Sequence, residues 1–334
     1  MIVAGHLLYQ DPVQVEGLMF VGDPHITSSR PGRRKDPTWP DPVLRKLEHC
    51  VEIANQRGLA MILLGDLFDD PFEKDEALKT RVSRILKALK IPPIANVGNH
   101  DIANSRLSDG DSLAFLAVND TLDAVAASGP VCVFDLGGVK LGLGMTPYGQ
   151  EIPTDVTGVF SGVNAVLWVT HHDIAFEETY PGAVNPFPIE GCKLVVNGHV
   201  HTRKKHVVAG ATTWLNPGNI NRLSIDVIDH VPCAWTLDRN SRFEPVELPF
   251  ESDVFDLTGR LVDPTKPSPR DENISSAFVT LLQAEDAVDT SASADGGIML
   301  EEIEQKFERD NTPPSVRAMV RDLLREAVAR KAAA

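Results

Sequence analysis

The amino-acid sequence predicts an α/β fold in which two β-sheets form a sandwich. Over about the first 130 of the 334 residues, short apolar runs alternate with helical patterns, which is typical of βαβ units around a central sheet. From about residue 131 to 250, one strand-like run follows another with Gly, Pro and Asn between them, and this pattern predicts the second sheet. The remaining residues predict a small C-terminal helical extension.

Three strands and two helices are predicted before residue 100. The strands are the apolar runs at 17–22, 60–65 and 91–97. Between the first two, Asp41 supplies a helix N-cap, Pro42 the first helical position, and Gly58 the end of the helix. A second helix is predicted over about 75–90, because its Leu, Val and Ile residues share one face.

The second half contains six predicted strands, at 131–136, 139–145, 165–170, 192–196, 211–216 and 231–238. A linker is predicted at 251–271, which is rich in Pro and charged residues. Helices follow at 272–286 and 298–333, and the stretch 287–297 between them has too few apolar residues to pack. The predicted organisation is therefore a domain at 1–250, a linker at 251–271 and a helical region at 272–334.

Composition excludes some classes of function. A formal net charge of −15 argues against DNA binding through overall charge, which needs many Lys and Arg residues. The four cysteines are scattered without a CxxC pair, so we expect reduced thiols rather than disulfides or a cysteine zinc site. Neither an export signal nor a run of about 18 apolar residues is present, and we expect a cytoplasmic protein without a membrane span.

Five polar clusters follow predicted strands, at the sheet edge where α/β proteins bind ligands. They contain Asp23 and His25, then Asp66, then Asn99, His100 and Asp101, then His171 and His172, and finally His199 and His201. Any one cluster alone is more often a turn or a surface group. Five of them in order at strand ends, with carboxylate, imidazole and amide donors but no thiolate, favour Mn, Fe or Zn in a hydrolytic site.

The order D-x-H, GD-x-x-D, GNHD, H and GH-x-H, over residues 22–201, is similar to the signature of calcineurin-like metallophosphoesterases. This resemblance implies a four-layer αββα sandwich and two metal ions. It implies that Asp23, His25 and His201 hold one ion, that Asn99, His171 and His199 hold the other, and that Asp66 bridges them. His172 is the competing choice for the fourth motif.

Hydrolysis would use the two ions together. Two divalent ions about 3.5–4 Å apart lower the pKa of a shared water to give hydroxide at neutral pH and clamp the phosphate oxygens. His100 lies beside Asn99, where it would act as the general acid for the leaving alkoxide. Asp101 either orients His100 or caps a helix, and the sequence leaves both roles open.

Within this superfamily, the chain resembles the SbcD-like exonuclease subunits and their phage counterparts. The resemblance rests on GDLFD at 65–69, IPPIANVGNHD at 91–101 and TPYG at 146–149. It implies a manganese-dependent DNA nuclease. Two basic segments and Trp39 are expected to contact DNA. The residues predicted to contact the substrate are Arg33, Arg34, Arg203, Lys204 and Arg222.

Alternative functions remain open from the sequence. The segment NPGNINR at 216–222 resembles small phosphodiesterases and phosphatases of the superfamily, and Ile26 and Thr27 replace the Leu-Gly that is common in SbcD-like proteins. A phosphomonoesterase or nucleotide phosphodiesterase is therefore the alternative. A catalytically dead scaffold is less expected, because every ligand position is filled.

The C-terminal region is the candidate for binding a partner. An apolar stripe at helical spacing runs through Val316, Met319, Val320, Leu323, Leu324 and Val328. In nuclease relatives, helices beyond the catalytic domain bind a coiled-coil ATPase. The stripe is therefore predicted either to bind such a partner or to pack on its own domain. A homodimer is a further expectation.

Overall fold

The computed structural model describes residues 7–257 except 178, 180 and 181, together with residues 304, 307, 317 and 321. The chain forms two compact units. The first comprises Met1–Arg30, Asp36–Arg222 and Asp229–Ser252, and the second comprises Pro31–Lys35, Leu223–Ile228 and the segment that starts at Asp253. The predicted linker beyond 257 and the predicted C-terminal helices lie outside the described residues, apart from four helical positions.

Thirteen strands and three α-helices occur in the part of the chain that is described. The strands are β1 (Val13–Gln14), β2 (Gly17–Val21), β3 (Leu59–Leu63), β4 (Ile94–Asn96), β5 (Asp123–Val125), β6 (Gly129–Asp135), β7 (Lys140–Thr146), β8 (Ala165–Thr170), β9 (Leu194–Asn197), β10 (Val207–Ala209), β11 (Thr212–Leu215), β12 (Cys233–Asp238) and β13 (Phe243–Glu247). The helices are α1 (Asp41–Arg57), α2 (Glu76–Leu86) and α3 (Ser112–Val118). The α/β fold class is confirmed.

The two helices predicted before residue 100 are present, with one correction. In α1, Asp41 lies in the first turn rather than at the N-cap, which is Pro40. Gly58 ends the helix in the left-handed conformation (φ 67°), and its N–H donates to the carbonyl of Ala54. In α2, Asp75 is the N-cap, and its carboxylate accepts from the N–H groups of the first turn.

The first sheet has the strand order β13-β12-β2-β3-β4-β5, and the second β1-β6-β7-β8-β9-β11-β10. The sequence placed 231–238 in the second sheet, and this was wrong. Strand β12 pairs antiparallel with β2, with Trp235 opposite Phe20. Trp235 and Leu237 are buried beside Leu18 and Phe20 in the core between the sheets, so the apolar face of β12 is satisfied by this return to the first sheet.

Alternation of side chains along the strands creates the layers. In β2, Leu18 and Phe20 pack into the core between the sheets, whereas Met19 and Val21 pack against the three helices. In β8, Leu167 and Val169 face the same central core. The other face of β8 packs against loop segments that contribute Ile152, Val156, Phe160, Ile174, Phe176 and Ile189.

Two runs of parallel strands determine where the polar clusters meet. Strands β2, β3 and β4 are parallel neighbours in the first sheet, and β7, β8 and β9 are parallel neighbours in the second. Their carboxyl ends therefore release the five motifs at one edge of each sheet. No helix in the described part of the chain is long and apolar enough to cross a membrane.

Candidate metal centre

Every predicted metal ligand follows the carboxyl end of a strand. Asp23 and His25 follow β2, Asp66 follows β3, and Asn99 follows β4. His171 comes directly after β8, and His199 and His201 follow β9. The sharp turns at these ends place non-glycine residues in the left-handed region, at Asp23 (φ 33°), His25 (φ 44°), Asp66 (φ 50°) and His199 (φ 73°). Such conformations cost about 1–3 kcal/mol each and are concentrated at functional sites.

Two glycines allow the motifs to approach one another. A Cβ atom on Gly98 would lie 2.0 Å from Oδ1 of Asp66. A Cβ atom on Gly198 would lie 2.8 Å from Nδ1 of His171. The glycines that precede Asn99 and His199 are therefore required because the backbone passes directly against other site residues.

One side of the centre is formed by Asp66, Asn99, His171 and His199. The Nε2 atom of His171 lies 3.0 Å from Oδ2 of Asp66 and 3.2 Å from Oδ1 of Asn99. The Nδ1 atom of His199 lies 2.9 Å from the same Asn99 oxygen. Since a carbonyl can only accept, Nδ1 of His171 donates to that of Leu64, and Nε2 is the nitrogen that can bind a cation once the ring is neutral.

Of the three residues predicted to hold the other ion, His25 and His201 lie together beside Asp66. The Nε2 atoms of His25 and His201 lie 2.9 Å apart, and Nε2 of His25 lies 3.6 Å from Oδ2 of Asp66. Asp23 is fully buried, and within the described part of the chain neither of its carboxylate oxygens has a hydrogen-bond partner. Its nearest charged group is the ring of His171, with Nδ1 at 3.7 Å from Oδ1.

These donors fit two divalent cations. A buried carboxylate without a donor and two imidazole nitrogens that face each other are both satisfied by a cation. Ligand atoms of Asp66, His171 and His199 lie within 4.8 Å of one another, and so do those of His25, Asp66 and His100. Asp66 belongs to both groups, which is consistent with the bridging position that the resemblance implies.

His100 lies beside this centre. Its ring is 4.7 Å from that of His25, and its backbone N–H donates to Oδ1 of Asp66 over 2.8 Å. Its Nδ1 donates to the carbonyl of Asp69 over 2.8 Å. Because a carbonyl can only accept, Nδ1 carries a proton, and Nε2 is the atom that can give up or take a proton.

Neither role considered for Asp101 is what the structure shows. The buried carboxylate accepts from the N–H groups of Asp66 and Leu67 over 2.8 and 3.0 Å and from that of Gly98 over 2.9 Å. Helix α3 begins only at Ser112, so Asp101 is not its cap. Asp101 instead ties the second motif to the third and holds the backbone on which Asp66 sits.

The two adjacent histidines of the fourth motif have different environments. His171 is fully buried within the cluster. Nε2 of His172 instead donates to the carbonyl of Gln150 over 2.8 Å. Burial lowers the pKa of His172 to about 4, so this ring is neutral. The structure thus brings His171 and not His172 to the other ligands.

Sequence reasoning missed two carboxylates that hold ligand imidazoles. Oδ1 of Asp69 lies 3.2 Å from Nδ1 of His25, and Oδ2 of Asp173 lies 3.1 Å from Nε2 of His199. In both cases the carboxylate binds the nitrogen remote from the centre, as outer partners of metal-bound histidines commonly do. Asp69 is the last residue of GDLFD at 65–69, and Asp173 directly follows His172, but this spacing does not reveal which imidazole each carboxylate reaches.

The cluster perturbs the ionisation of its own members. Burial raises the pKa of Asp23, and the charge of Asp66 adds to the effect. Burial would also raise the pKa of Asp66, but the charges of His171 and His100 outweigh it and hold that pKa well below its usual range. Burial and the neighbouring charge of Asp66 raise the pKa of Asp101 to about 7.

The ligand histidines respond in opposite directions. Burial lowers the pKa of His25, but the hydrogen bond to Asp69 and the charge of Asp66 outweigh it and raise the pKa to about 9. Burial acts likewise on His171, where the charge and hydrogen bond of Asp66 raise the pKa to about 10. Burial, followed by the charge of His25, holds the pKa of His201 well below its usual range.

The predicted substrate contacts have partners within their own units. Exposed Arg203 lies over the ring of Trp235, with 4.4 Å between the guanidinium carbon and the ring centroid. The ammonium group of Lys204 is 3.3 Å from Glu177. Arg222 is buried, bonds to the carbonyl of Glu251 and lies over Phe250.

In the second unit, Arg33 donates to the carbonyl of Asp256 over 3.2 Å, and buried Arg34 lies over the ring of Phe255. As substrate contacts, all five of these basic residues stay predictions. Trp39 donates from its indole to the carbonyl of Thr27 over 2.8 Å and packs against the core of the first unit. These contacts give Trp39 a structural role.

Comparisons with known proteins agree with this site. The family model for calcineurin-like phosphoesterases matches residues 18–203, a range that contains all seven predicted ligands. No curated protein matches the chain significantly. Similar solved structures include a 5'-nucleotidase precursor from Thermus thermophilus, at 13% identity and a TM-score of 0.40 over 70% of this chain and 54% of that one.

A protein from Staphylococcus aureus that is assigned as a 5'-nucleotidase is also similar, at 12% identity and a TM-score of 0.38 over 74% of this chain and 56% of that one. The chain thus spans little more than half of the length of these two proteins. The family model covers more than half of the chain, including its complete set of strand-end donors. The chain therefore belongs to the calcineurin-like phosphoesterase family.

Proposed function

We propose that this protein is a dinuclear, manganese-dependent phosphodiesterase that cleaves DNA in the manner of SbcD-like exonucleases. The observation that carries the proposal is the cluster in which Asp66 joins His25 to His171, with His100 beside it. The motifs GDLFD and IPPIANVGNHD support the nuclease branch through their resemblance to it. Mixed oxygen and nitrogen donors without thiolate suit manganese.

Two divalent ions at these donors would activate a water and neutralise phosphate oxygens. The residues of the chain then have separate tasks. Protonated His100 would donate from Nε2 to the leaving alkoxide, because its Nδ1 is fixed by the carbonyl of Asp69. After that transfer the ring is the neutral Nδ1–H tautomer, which the same carbonyl continues to stabilise.

Charge supports a phosphate ester as substrate. Two carboxylates, Asp23 and Asp66, against two divalent cations would leave the site net positive. A negatively charged phosphodiester would therefore be attracted to it even in a protein with a formal net charge of −15.

Substrate comparison tests the proposal. With manganese present, the purified protein is expected to release nucleotides from linear DNA and to turn over bis(p-nitrophenyl) phosphate. The same preparation is compared on p-nitrophenyl phosphate, on 5'-AMP and on cyclic nucleotides. Turnover of p-nitrophenyl phosphate, 5'-AMP or cyclic nucleotides without cleavage of DNA would instead establish the phosphomonoesterase or nucleotide phosphodiesterase alternative.

Adjacent histidines provide a matched pair of variants for this assay. His171→Asn removes a ring that faces Asp66 and Asn99. His172→Asn removes the neighbouring ring, which donates to the Gln150 carbonyl and lies near the ring of Tyr148. We expect DNA cleavage to depend on His171 and to survive the change at His172. Equal loss in both variants would show a folding effect and not a metal-site effect.

Location and partners are also proposals. Four buried free thiols suit the reducing cytoplasm. A coiled-coil ATPase is proposed to bind the apolar stripe that runs from Val316 to Val328. The stripe residues lie outside the described residues, and in this range only the helical positions 317 and 321 are described. A pull-down with a chain truncated near residue 270 tests this, since retention of the ATPase would contradict it.

A further inference from the structure

The loop that follows β7 is firmly anchored at the edge of the centre. The backbone N–H of Tyr148 donates to the carbonyl of Val97 over 2.9 Å, immediately before the third motif. The hydroxyl of Thr146 accepts from the indole of Trp168 over 2.8 Å, and its carbonyl accepts from the amide of Asn96 over 3.0 Å. The start of the loop is therefore fixed to strands of both sheets.

The end of the same loop is fixed through Gln150. Its side-chain oxygen accepts from the N–H of Ser128 over 2.7 Å, and its side-chain nitrogen donates to the carbonyl of Ala126 over 3.0 Å. Its carbonyl accepts from His172 over 2.8 Å. A residue between two such anchors has a defined position, which is what a substrate-contacting side chain requires.

Tyr148 projects from this loop over the histidines of the centre. Its ring centroid is 5.6 Å from that of His199, 6.4 Å from that of His171 and 6.3 Å from that of His172. The side chain is half-buried, so part of it remains open to solvent while part contacts the imidazoles. Gly149 beside it is exposed, and a Cβ atom there would meet nothing within 4 Å.

We propose that Tyr148 is a specificity-determining residue, whose ring stacks on the base or sugar of the nucleotide that carries the scissile phosphate. This inference rests on the proposed function, because it needs a phosphoester of a nucleotide at the ions. The ring lies beside His171 and His199, so a phosphate held at those ligands would bring its nucleoside close to an anchored aromatic surface. Every base offers a π-face, so such stacking favours nucleotides without selecting a sequence.

Two small diesters that share the same leaving group, p-nitrophenolate, distinguish this role from a structural one. The first is thymidine esterified with p-nitrophenyl phosphate through its 5' or its 3' oxygen, and the second is methyl p-nitrophenyl phosphate, which lacks the nucleoside. For the manganese-loaded wild type we expect a higher kcat/KM with a thymidine ester. In Tyr148→Leu this preference should fall by about 5- to 150-fold, the range for loss of one base–aromatic stack.

Tyr148→Phe is the conservative control and should keep the preference, because it retains the ring. Metal content and melting temperature are measured for each variant as readouts independent of activity. An equal loss on both diesters in Tyr148→Leu, or a lower metal content, would give Tyr148 only a packing role and overturn the inference. A wild type that hydrolyses neither diester would instead refute the proposed function and the inference together.

Discussion

The two sheets contribute different chemistry to the centre. The first sheet supplies all of the oxygen donors, Asp23, Asp66 and Asn99, together with His25. The second sheet supplies only imidazoles, from His171, His199 and His201. The carboxylates of Asp23 and Asp66 are buried, and the imidazoles that lower their pKa values come from both sheets, His171 from the second and His25 from the first. The carboxylates of the first sheet are thus stabilised by imidazoles of both sheets.

Both sheets nevertheless use one device to orient their histidines. In the first sheet, Asp69 binds the remote nitrogen of His25, and in the second, Asp173 binds that of His199. Both carboxylates come from residues shortly after a ligand in the chain, Asp69 after Asp66 and Asp173 after His171. The sheets differ in the donors they provide but share the way in which those donors are held.

The largest effect is expected at Asp66, which lies near a histidine of each sheet. Asp66→Asn removes the carboxylate shared by the two sides, so activity should fall to that of the metal-free protein. Metal content, measured on the dialysed protein by mass spectrometry, should fall as well. Asp70→Asn, in the same motif but outside the cluster, is the control. Two bound ions in Asp66→Asn would contradict a bridging role.

His100 should give a large effect that leaves metal binding intact. His100→Gln removes the proton donor and is expected to lower kcat by roughly 10²–10⁴-fold. The loss should be greater on DNA, whose leaving group is an alkoxide, than on bis(p-nitrophenyl) phosphate, whose leaving phenolate needs little protonation. Kinetics on both substrates test this. A loss of equal size on both would remove His100 from proton transfer.

Much of this molecule follows from the sequence, because local signals and the fold agree at most elements. Strand β8 begins and ends where its apolar run predicts, and α1 ends at Gly58 as predicted. The motif residues come together because parallel strands release them at one edge, which the pattern of runs already indicates. The pairing partner of a strand, in contrast, does not follow from local sequence signals. The sequence of β12 contains nothing that chooses β2 over a strand of the second sheet.

The finer arrangement of the site was also beyond sequence reasoning. Positive φ angles at Asp23, His25 and Asp66 are uncommon for any residue other than glycine, although Asp and His adopt them more often than most, so the residue types alone do not predict them. The role of Asp101 depends on three backbone N–H groups that come together only in the folded chain. The choice between His171 and His172 likewise depends on which ring the turn after β8 directs inward.

The carboxylate that orients a histidine can be removed in each sheet separately. Asp69→Asn and Asp173→Asn should each weaken metal binding or activity by about 10–100-fold, as is usual for outer partners of ligand histidines. Titration calorimetry with manganese measures the affinity of each variant. Asp155→Asn, an exposed residue away from the centre, serves as the control. An effect in only one of the two variants would show that the sheets hold their histidines differently.

The smallest effect concerns pH and again compares the two sheets. His25 from the first sheet and His171 from the second have pKa values raised to about 9 and about 10, so both are protonated at neutral pH without metal. Their protonation stabilises the metal-free fold fully below the ordinary pKa near 6.5, and this stabilisation is lost as pH rises through the raised values.

Metal binding needs both rings neutral and must therefore release protons. Below these raised pKa values, manganese affinity should rise by about tenfold per pH unit for each proton released. Calorimetry in two buffers of different ionisation enthalpy counts the protons. His171→Asn should release one proton fewer than the wild type, whereas His172→Asn should release the same number, because burial keeps His172 neutral already. Heats that are independent of the buffer would show that the carboxylates of the first sheet do not hold these two histidines protonated.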